Sequence, residues 1–171
     1  MHRLGYERYG AQGGDFGSGV SQALQAATPQ TIGYTLADSP VGQLAWIAER
    51  FAQWTDPRSP IDDDRMLTDI SLYWLTATAA SSARLHRETT RGVTPCPVPL
   101  GVAVFPRDIT QSVRPPAERL YDIRHWSEFD RGGHFAAMEV PELPAEDIRT
   151  FFLGMLDDQL VDQGRSVGIS P

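Results

Sequence analysis

Three side chains of this sequence are placed to carry out hydrolytic chemistry together: Asp15, Asp108 and His134. Each follows directly after a predicted strand, and the carboxyl ends of parallel strands share one edge of a sheet, where open α/β sheets bind ligands. An ionised, exposed carboxylate is a usable nucleophile. The order along the chain, a candidate nucleophile, then an acid, then a histidine, is one in which hydrolytic triads occur.

Asp15 lies in a glycine-rich stretch from Leu4 to Ser18, LGYERYGAQGGDFGS. A run able to form a strand, from Tyr6 to Gln12, precedes it, and helix-compatible residues from Val20 to Ala27 follow. The glycines allow a sharp turn that would lift the carboxylate off the strand end, where the dipole of the next helix favours its charged form. A glycine turn in which Asp15 caps that helix is the alternative, and from this stretch alone it stays open.

His134 follows two glycines, Gly132 and Gly133, which allow a loop to bring an imidazole close to its partners. The alternative is a loop histidine that caps a helix beginning near Ala136. Because Asp15 and Asp108 also follow predicted strands, we favour a functional role for His134.

Other residues of metal-binding or nucleophilic type give weaker signals. Cys96 stands between prolines in a predicted loop, with no cysteine or histidine at zinc spacing, so we expect a bystander thiol. The acidic run at positions 62–64 is interpreted as a solvated helix start rather than a metal site. His2 and His125 are expected at surface or strand positions. We therefore expect neither a metal nor a cofactor.

The elements that position the candidate residues are those of an α/β fold. Ser39 as N-cap and Pro40 at the first helical position predict a helix from Pro40 to Trp54, and Thr28-Pro29 and Gly33 should break the helix before it. A second helical pattern runs from Asp64 to Arg87, and we interpret its small residues as a close packing surface rather than room for a ligand. The other predicted elements are strands from Gly101 to Phe105 and from Ile123 to Phe129, a proline-rich connector from Arg91 to Leu100, a short helix from Pro116 to Tyr121, and a packing helix from Ala145 to Leu156 with a frayed tail beyond Asp157.

Composition limits the class of protein. The chain has 171 residues, of which 41% are hydrophobic, enough for one domain with a core. A formal net charge of -7 argues against nucleic acid as a partner. The sequence shows no run of about 18 apolar residues and no apolar core of a signal peptide, so we expect a cytoplasmic protein without a membrane segment.

Five blocks of the sequence resemble the epoxide hydrolase family of the microsomal and juvenile-hormone type, in the α/β-hydrolase superfamily. They are LGYERYGAQGGDFGS around Asp15, PQTIGYTLADSPVGQLAWIAERF from Pro29, LTDISLYWLTATAASSARL from Leu67, GVAVFPRDI from Gly101, and RGGHFAAMEVPELPAEDIRTFF from Arg131. These blocks cover most of the chain in family order. They are much more specific than a triad pattern.

The resemblance implies a role for each matching position. Asp15 matches the nucleophile, Asp108 the acid, and His134 the histidine, while the amide of Phe16 matches an oxyanion-hole donor. The implied reaction opens an epoxide by attack of Asp15, and water activated by His134 then hydrolyses the ester to a diol. His86 occupies the position of a tyrosine that donates a proton to the epoxide oxygen. The implied partner is an apolar small-molecule epoxide.

The departures from the family lead us to expect a truncated and internally deleted relative that lacks the N-terminal half. A second gap is expected near Gln25 to Thr28. We expect a partial α/β-hydrolase fold with a few parallel strands, divided into an elbow strand and helix (1–27), a helical cap remnant (28–90) and the C-terminal part of the core (91–171). Exposed sheet edges would favour self-association. Two alternatives stay open: a catalytically impaired remnant that binds small molecules or proteins, and an aspartate nucleophile acting on another leaving group, as in haloalkane dehalogenases.

Overall fold

The computed structural model describes residues 29–88 and 96–166. Within these ranges the chain forms seven helices and a two-stranded sheet. The helices are α1 (Pro29–Asp38), α2 (Pro40–Trp54), α3 (Asp63–Leu75), α4 (Ala79–Glu88), α5 (Arg114–Ala117), α6 (Ala136–Glu139) and α7 (Glu142–Ser166), and the strands are β1 (Cys96–Val104) and β2 (Tyr121–Glu128). The predicted elbow strand and helix before residue 28 lie outside the described residues, and the proposed division into three domains stays a prediction.

The sheet is parallel, as the sequence predicts, with Gly101 opposite His125 and Val104 opposite Glu128. β1 begins at Cys96, so the prediction that this cysteine lies in a loop is wrong. The prolines at 97 and 99 have no N–H to donate, and the register shifts between Cys96 and Pro99. β1 therefore begins within the predicted proline-rich connector, and its pairing with β2 is irregular there.

Gly33 lies inside helix α1, so the prediction that this glycine breaks a helix is wrong. A Cβ on Gly33 would lie 3.0 Å from the Cα of Ala80, so α1 and α4 approach each other closely at this glycine. Ala79 and Ala83 of α4 are buried, as expected for a packing surface, but Ala79 also lines a cavity, so both interpretations of the small residues stay open. Tertiary contact therefore outweighs the weak helix propensity of glycine.

The predicted helix from Asp64 to Arg87 is in fact two helices, α3 and α4. Ala77, between them, has a φ of 53°, a left-handed conformation that a continuous helix does not contain. The start of α3 is as interpreted, because the carboxylate of Asp62 caps it by accepting from the amides of Asp64 and Arg65. Helix α2 has the predicted bounds, and the hydroxyl of Ser39 accepts from the amide of Gly42 at 2.9 Å.

The C-terminal half has a small core between the sheet and the last helices. Phe105, Ala136 and Val140 are buried there, and Phe129 and Leu143 pack against them. Helix α7 is longer than predicted at both ends and continues to Ser166, so the expected frayed tail is helical over that stretch. Helix α5 ends at Ala117, earlier than predicted. In the described part of the chain, every helix is too short or too polar to cross a membrane.

Candidate functional site

The structure brings Asp108 and His134 into direct contact. The Nδ1 atom of His134 lies 2.9 Å from Oδ1 of Asp108. A carboxylate can only accept a hydrogen bond, so Nδ1 carries the proton and Nε2 carries the lone pair of the neutral imidazole. The side chain of His134 is 7% exposed, whereas that of Asp108 is 34% exposed. This arrangement can orient an imidazole as a general base.

The two residues meet because the loops beyond β1 and β2 run side by side. Arg107 and Gly133 form an isolated parallel bridge, and the amide of Arg107 donates to the carbonyl of Gly132 at 3.2 Å. The next residue in each loop is therefore Asp108 on one side and His134 on the other. The amide of Ile109 fixes the carboxylate further by donating to Oδ1 of Asp108 at 2.7 Å.

The loop that carries His134 depends on both of its glycines. Gly132 has a φ of +99°, which L-residues with side chains rarely adopt. A Cβ on Gly133 would lie 2.5 Å from the carbonyl oxygen of Trp54 and 2.8 Å from the amide nitrogen of Asp56. The second glycine therefore allows the backbone after α2 to lie directly against the histidine loop.

We name residues 54–58, the last residue of α2 and the four that follow it, the segment after α2. This segment supports the histidine loop, residues 129–135. The amide of His134 donates to the carbonyl of Trp54 at 2.9 Å, and the edge of one ring meets the face of the other with centroids 5.3 Å apart. Next to this contact, Phe135 stacks on Phe51 of α2 at 4.5 Å. Helix α2 and the histidine loop are thus joined both by a backbone hydrogen bond and by aromatic packing.

A buried carboxylate, that of Asp56, fixes the same junction. Its side chain has no exposed surface and accepts from the guanidinium of Arg58 at 2.9 Å and from the amide of Gly132 at 3.0 Å. The guanidinium donates onward to the carbonyl of Asp130 at 2.6 Å. The hydrogen bonds from Arg58 hold the pKa of Asp56 well below its usual range, so the group is ionised at neutral pH.

A second carboxylate, that of Glu139 in α6, accepts three backbone N–H groups. Oε2 accepts from Asp56 at 2.7 Å and from Gly133 at 2.8 Å, and Oε1 accepts from Phe135 at 2.9 Å. Burial raises the pKa of Glu139, and the three hydrogen bonds oppose that shift. Sequence reasoning missed both acids. For Glu139 a local signal exists, since an acid one turn into a helix often reaches back to the first amides, as in a capping box.

A cavity of about 270 Å³ lies between helices α1 to α4 and the histidine loop. Its volume is near the lower end of the roughly 300–1,000 Å³ typical of ligand sites. Apolar and aromatic side chains dominate the wall. They include Trp46, Phe51 and Trp54 of α2, Tyr73 of α3, and Phe135 and Met138 beside the histidine. Two of these lining residues, Trp54 and Phe135, also contact the ring of His134, so the cavity and the candidate base share neighbouring side chains.

Comparisons of sequence and of structure both match this chain to proteins named as epoxide hydrolases. A protein of Stigmatella aurantiaca provisionally named an epoxide hydrolase is 39% identical over 212 positions, covering 89% of this chain. Epoxide hydrolase 1 of Sus scrofa is 38% identical over 80% of this chain. The solved structure of Aspergillus niger epoxide hydrolase matches 78% of this chain with a TM-score of 0.72 at 31% identity.

The chain belongs to the epoxide hydrolase type of α/β-hydrolase. A juvenile hormone epoxide hydrolase from the silkworm Bombyx mori also matches, with a TM-score of 0.68 at 32% identity over 75% of this chain. No protein-family model matches the chain.

This epoxide hydrolase-type chain spans 48% of the Stigmatella relative, 34% of the pig protein and 35% of the Aspergillus structure. The alignment with the Stigmatella relative runs over 212 positions although this chain has 171 residues. That relative therefore contains residues with no counterpart here, in agreement with the predicted internal deletion.

The remaining predicted site residues are Asp15, Phe16 and His86. Asp15 and Phe16 lie outside the described residues. The backbone of His86 belongs to α4, but its side chain is not among those that the structure describes. His125 is on β2, as expected, and contacts Asp147 of α7 at 2.7 Å, away from the histidine loop. Of the three predicted triad residues, the structure thus describes the acid and the base as a pair.

Proposed function

We propose that this chain acts as an epoxide hydrolase, with Asp15 as nucleophile and His134, oriented by Asp108, as general base. The observation that carries the proposal is the 2.9 Å contact between Nδ1 of His134 and Oδ1 of Asp108. It occurs in a chain that is 39% and 38% identical to two proteins named as epoxide hydrolases.

The proposed reaction has two steps. In the first, a carboxylate oxygen of Asp15 attacks a ring carbon, the carbon–oxygen bond of the epoxide breaks, and the released oxygen takes a proton from an acid at the position of His86. In the second, Nε2 of His134 takes a proton from water, and the resulting hydroxide attacks the carbonyl of the ester. The amide of Phe16 stabilises the oxyanion of the tetrahedral intermediate. The bond to the diol oxygen then breaks, and that oxygen takes the proton from the imidazolium of His134 as the diol leaves. The carboxyl group of Asp15 loses its proton, which restores the acid at the position of His86.

The cavity supports an apolar substrate. Indole, phenyl and phenol rings form much of its wall, and such surfaces favour burial of a neutral, hydrophobic molecule. We therefore propose a small epoxide with an aromatic or aliphatic substituent. Styrene oxide is a suitable probe because it combines a terminal epoxide with one phenyl ring.

The test is diol formation from styrene oxide by purified wild-type chain and two variants, His134→Gln and Asp108→Asn. We expect diol from the wild type and a loss of about 100-fold or more in His134→Gln, since histidine base catalysis contributes about 100-fold to 10,000-fold. His125→Gln is the matched control, because it removes an imidazole on β2 and should leave the rate unchanged. Equal diol formation by wild type and His134→Gln would refute the proposed base.

A second candidate function is binding without turnover, and the apolar cavity is the observation that favours it. Trp46 and Trp54 line that cavity, so a bound ring should change their fluorescence. Saturable quenching by styrene oxide, with no diol formed, would support the binding function over the enzymatic one.

A further inference from the structure

The backbone on both sides of His134 is held by one side chain. Glu139 accepts from the amide of Gly133, before the histidine, and from the amide of Phe135, after it, at 2.8 Å and 2.9 Å. The same carboxylate accepts from Asp56 at 2.7 Å, a residue 83 positions earlier in the chain. Glu139 thus connects the backbone of the histidine loop to the segment after α2.

We propose that Glu139 is a positioning residue for the hydrolytic step: it fixes the backbone of His134 so that the imidazole stays against Asp108. The inference rests on the proposed function for its kinetic consequence. Its structural content is separate, because the three hydrogen bonds and the contact between His134 and Asp108 can be observed without turnover.

The geometry requires a carboxylate of this length. Three N–H donors converge on two oxygens, and each bond from an amide to an ionised acceptor is stronger than a neutral one. In Glu139→Gln the amide NH₂ must face at least one of these N–H groups, so a donor opposes a donor and one bond is lost. An aspartate is one methylene shorter and cannot reach all three.

A displaced imidazole has a specific kinetic signature. His134 acts only on the ester, so loosening its loop should slow ester hydrolysis and leave ring opening by Asp15 unchanged. A displacement on the scale of 1 Å can cost about 100-fold in rate. A purely structural role would instead lower both steps together, because less folded protein would be present.

The first experiment compares wild type, Glu139→Gln and Glu142→Gln with styrene oxide, measuring ester by intact mass and diol by chromatography. Glu142 is a matched control because it forms an exposed ion pair with Arg131 at 2.8 Å, close to the same loop. We expect ester to accumulate in Glu139→Gln, with diol formation reduced about 10-fold to 100-fold, and the control to behave as wild type. Unchanged diol formation in Glu139→Gln would overturn the proposal. So would equal loss of ester formation and diol.

The second experiment needs no catalytic activity. In proton NMR, the Nδ1–H of His134 should give a slowly exchanging signal in wild type and Glu142→Gln, and a signal lost to exchange with water in Glu139→Gln. A signal that persists in Glu139→Gln would overturn the positioning role. Wild type that forms neither ester nor diol but shows this NMR difference would instead contradict the proposed function alone.

A third measurement uses wild type, so it does not depend on folding of the variant. Burial raises the pKa of Glu139 above its ordinary value of 4.5. Its side-chain carboxyl carbon can be followed by NMR as the pH is lowered, with the charged groups of Asp56 and Arg58 close by. We expect the amide protons of Gly133 and Phe135 to shift with that carbon, and the imidazole signal to broaden with them. If the chemical shifts of the Gly133 and Phe135 amide protons stayed constant while the carboxyl carbon titrated, the proposal would be overturned.

Discussion

Replacing Gly133 with alanine would place a methyl group 2.5 Å from the carbonyl oxygen of Trp54 and 2.8 Å from the amide nitrogen of Asp56. Both of those atoms are backbone, so neither can rotate away as the end of a side chain would. The segment after α2 would have to move off the histidine loop. That movement would also stretch the bond from the amide of His134 to the carbonyl of Trp54, which is 2.9 Å long.

The size of the effect follows from two contributions. Overpacking at a tight contact costs typically about 1–3 kcal/mol. Weakening the backbone hydrogen bond of His134 adds about 0.5–1.5 kcal/mol. We therefore expect Gly133→Ala to lower the free energy of unfolding by about 2–4 kcal/mol, a large part of the roughly 5–15 kcal/mol that holds a typical domain folded.

The assay is urea unfolding followed by tryptophan fluorescence and circular dichroism. Gly154→Ala in α7 is the matched control, because a Cβ there would meet nothing within 4 Å. In an exposed helix interior that change should stabilise the protein by up to about 1 kcal/mol. If Gly133→Ala unfolded within about 0.5 kcal/mol of wild type, the close contact between the two segments would be refuted.

Three further predictions concern stability. Phe51→Ala removes a buried ring that stacks on Phe135 at 4.5 Å, and it should cost about 3–5 kcal/mol in urea unfolding. Ala77→Gly relieves a left-handed φ of 53° and should stabilise the chain by up to about 1 kcal/mol, which a raised midpoint of thermal unfolding would show. The pKa of Asp56 is lowered in the folded state, so its contribution is full above the ordinary value of 3.8 and falls as acid lowers the pH below it. Between about pH 5 and pH 2, the free energy of unfolding should therefore fall less steeply with decreasing pH in Asp56→Asn than in wild type.

Local signals in the sequence predict local structure well. Helix α2 has the predicted bounds because Ser39, Pro40 and the apolar stripe act within the helix itself. Helix α1 and the break before α4 could not be predicted in this way. Gly33 is helical because it packs on Ala80, 47 positions away in the sequence, and no residue type signals the left-handed backbone of Ala77.

In the candidate site, too, the sequence predicts some contacts and gives no signal for others. The contact between Asp108 and His134 follows from two strands ending at one edge of a parallel sheet, and the structure contains it. The bonds that tie Asp56 and Glu139 into the site could not be found in the same way, because they join Asp56 to the amide of Gly132, 76 positions away, and Glu139 to the amide of Asp56, 83 positions away. A backbone amide has no residue type, so no motif shows such a bond. The catalytic roles of Asp15, Asp108 and His134 stay predictions.

In the proposed mechanism, water activated by His134 attacks an ester on Asp15 rather than the epoxide itself. A single turnover of styrene oxide in water enriched in ¹⁸O, with enzyme in excess, distinguishes these two routes. We expect an unlabelled diol and one ¹⁸O atom in the peptide that contains Asp15, because the carboxylate supplies the oxygen of the diol. A labelled diol with an unlabelled peptide would contradict it.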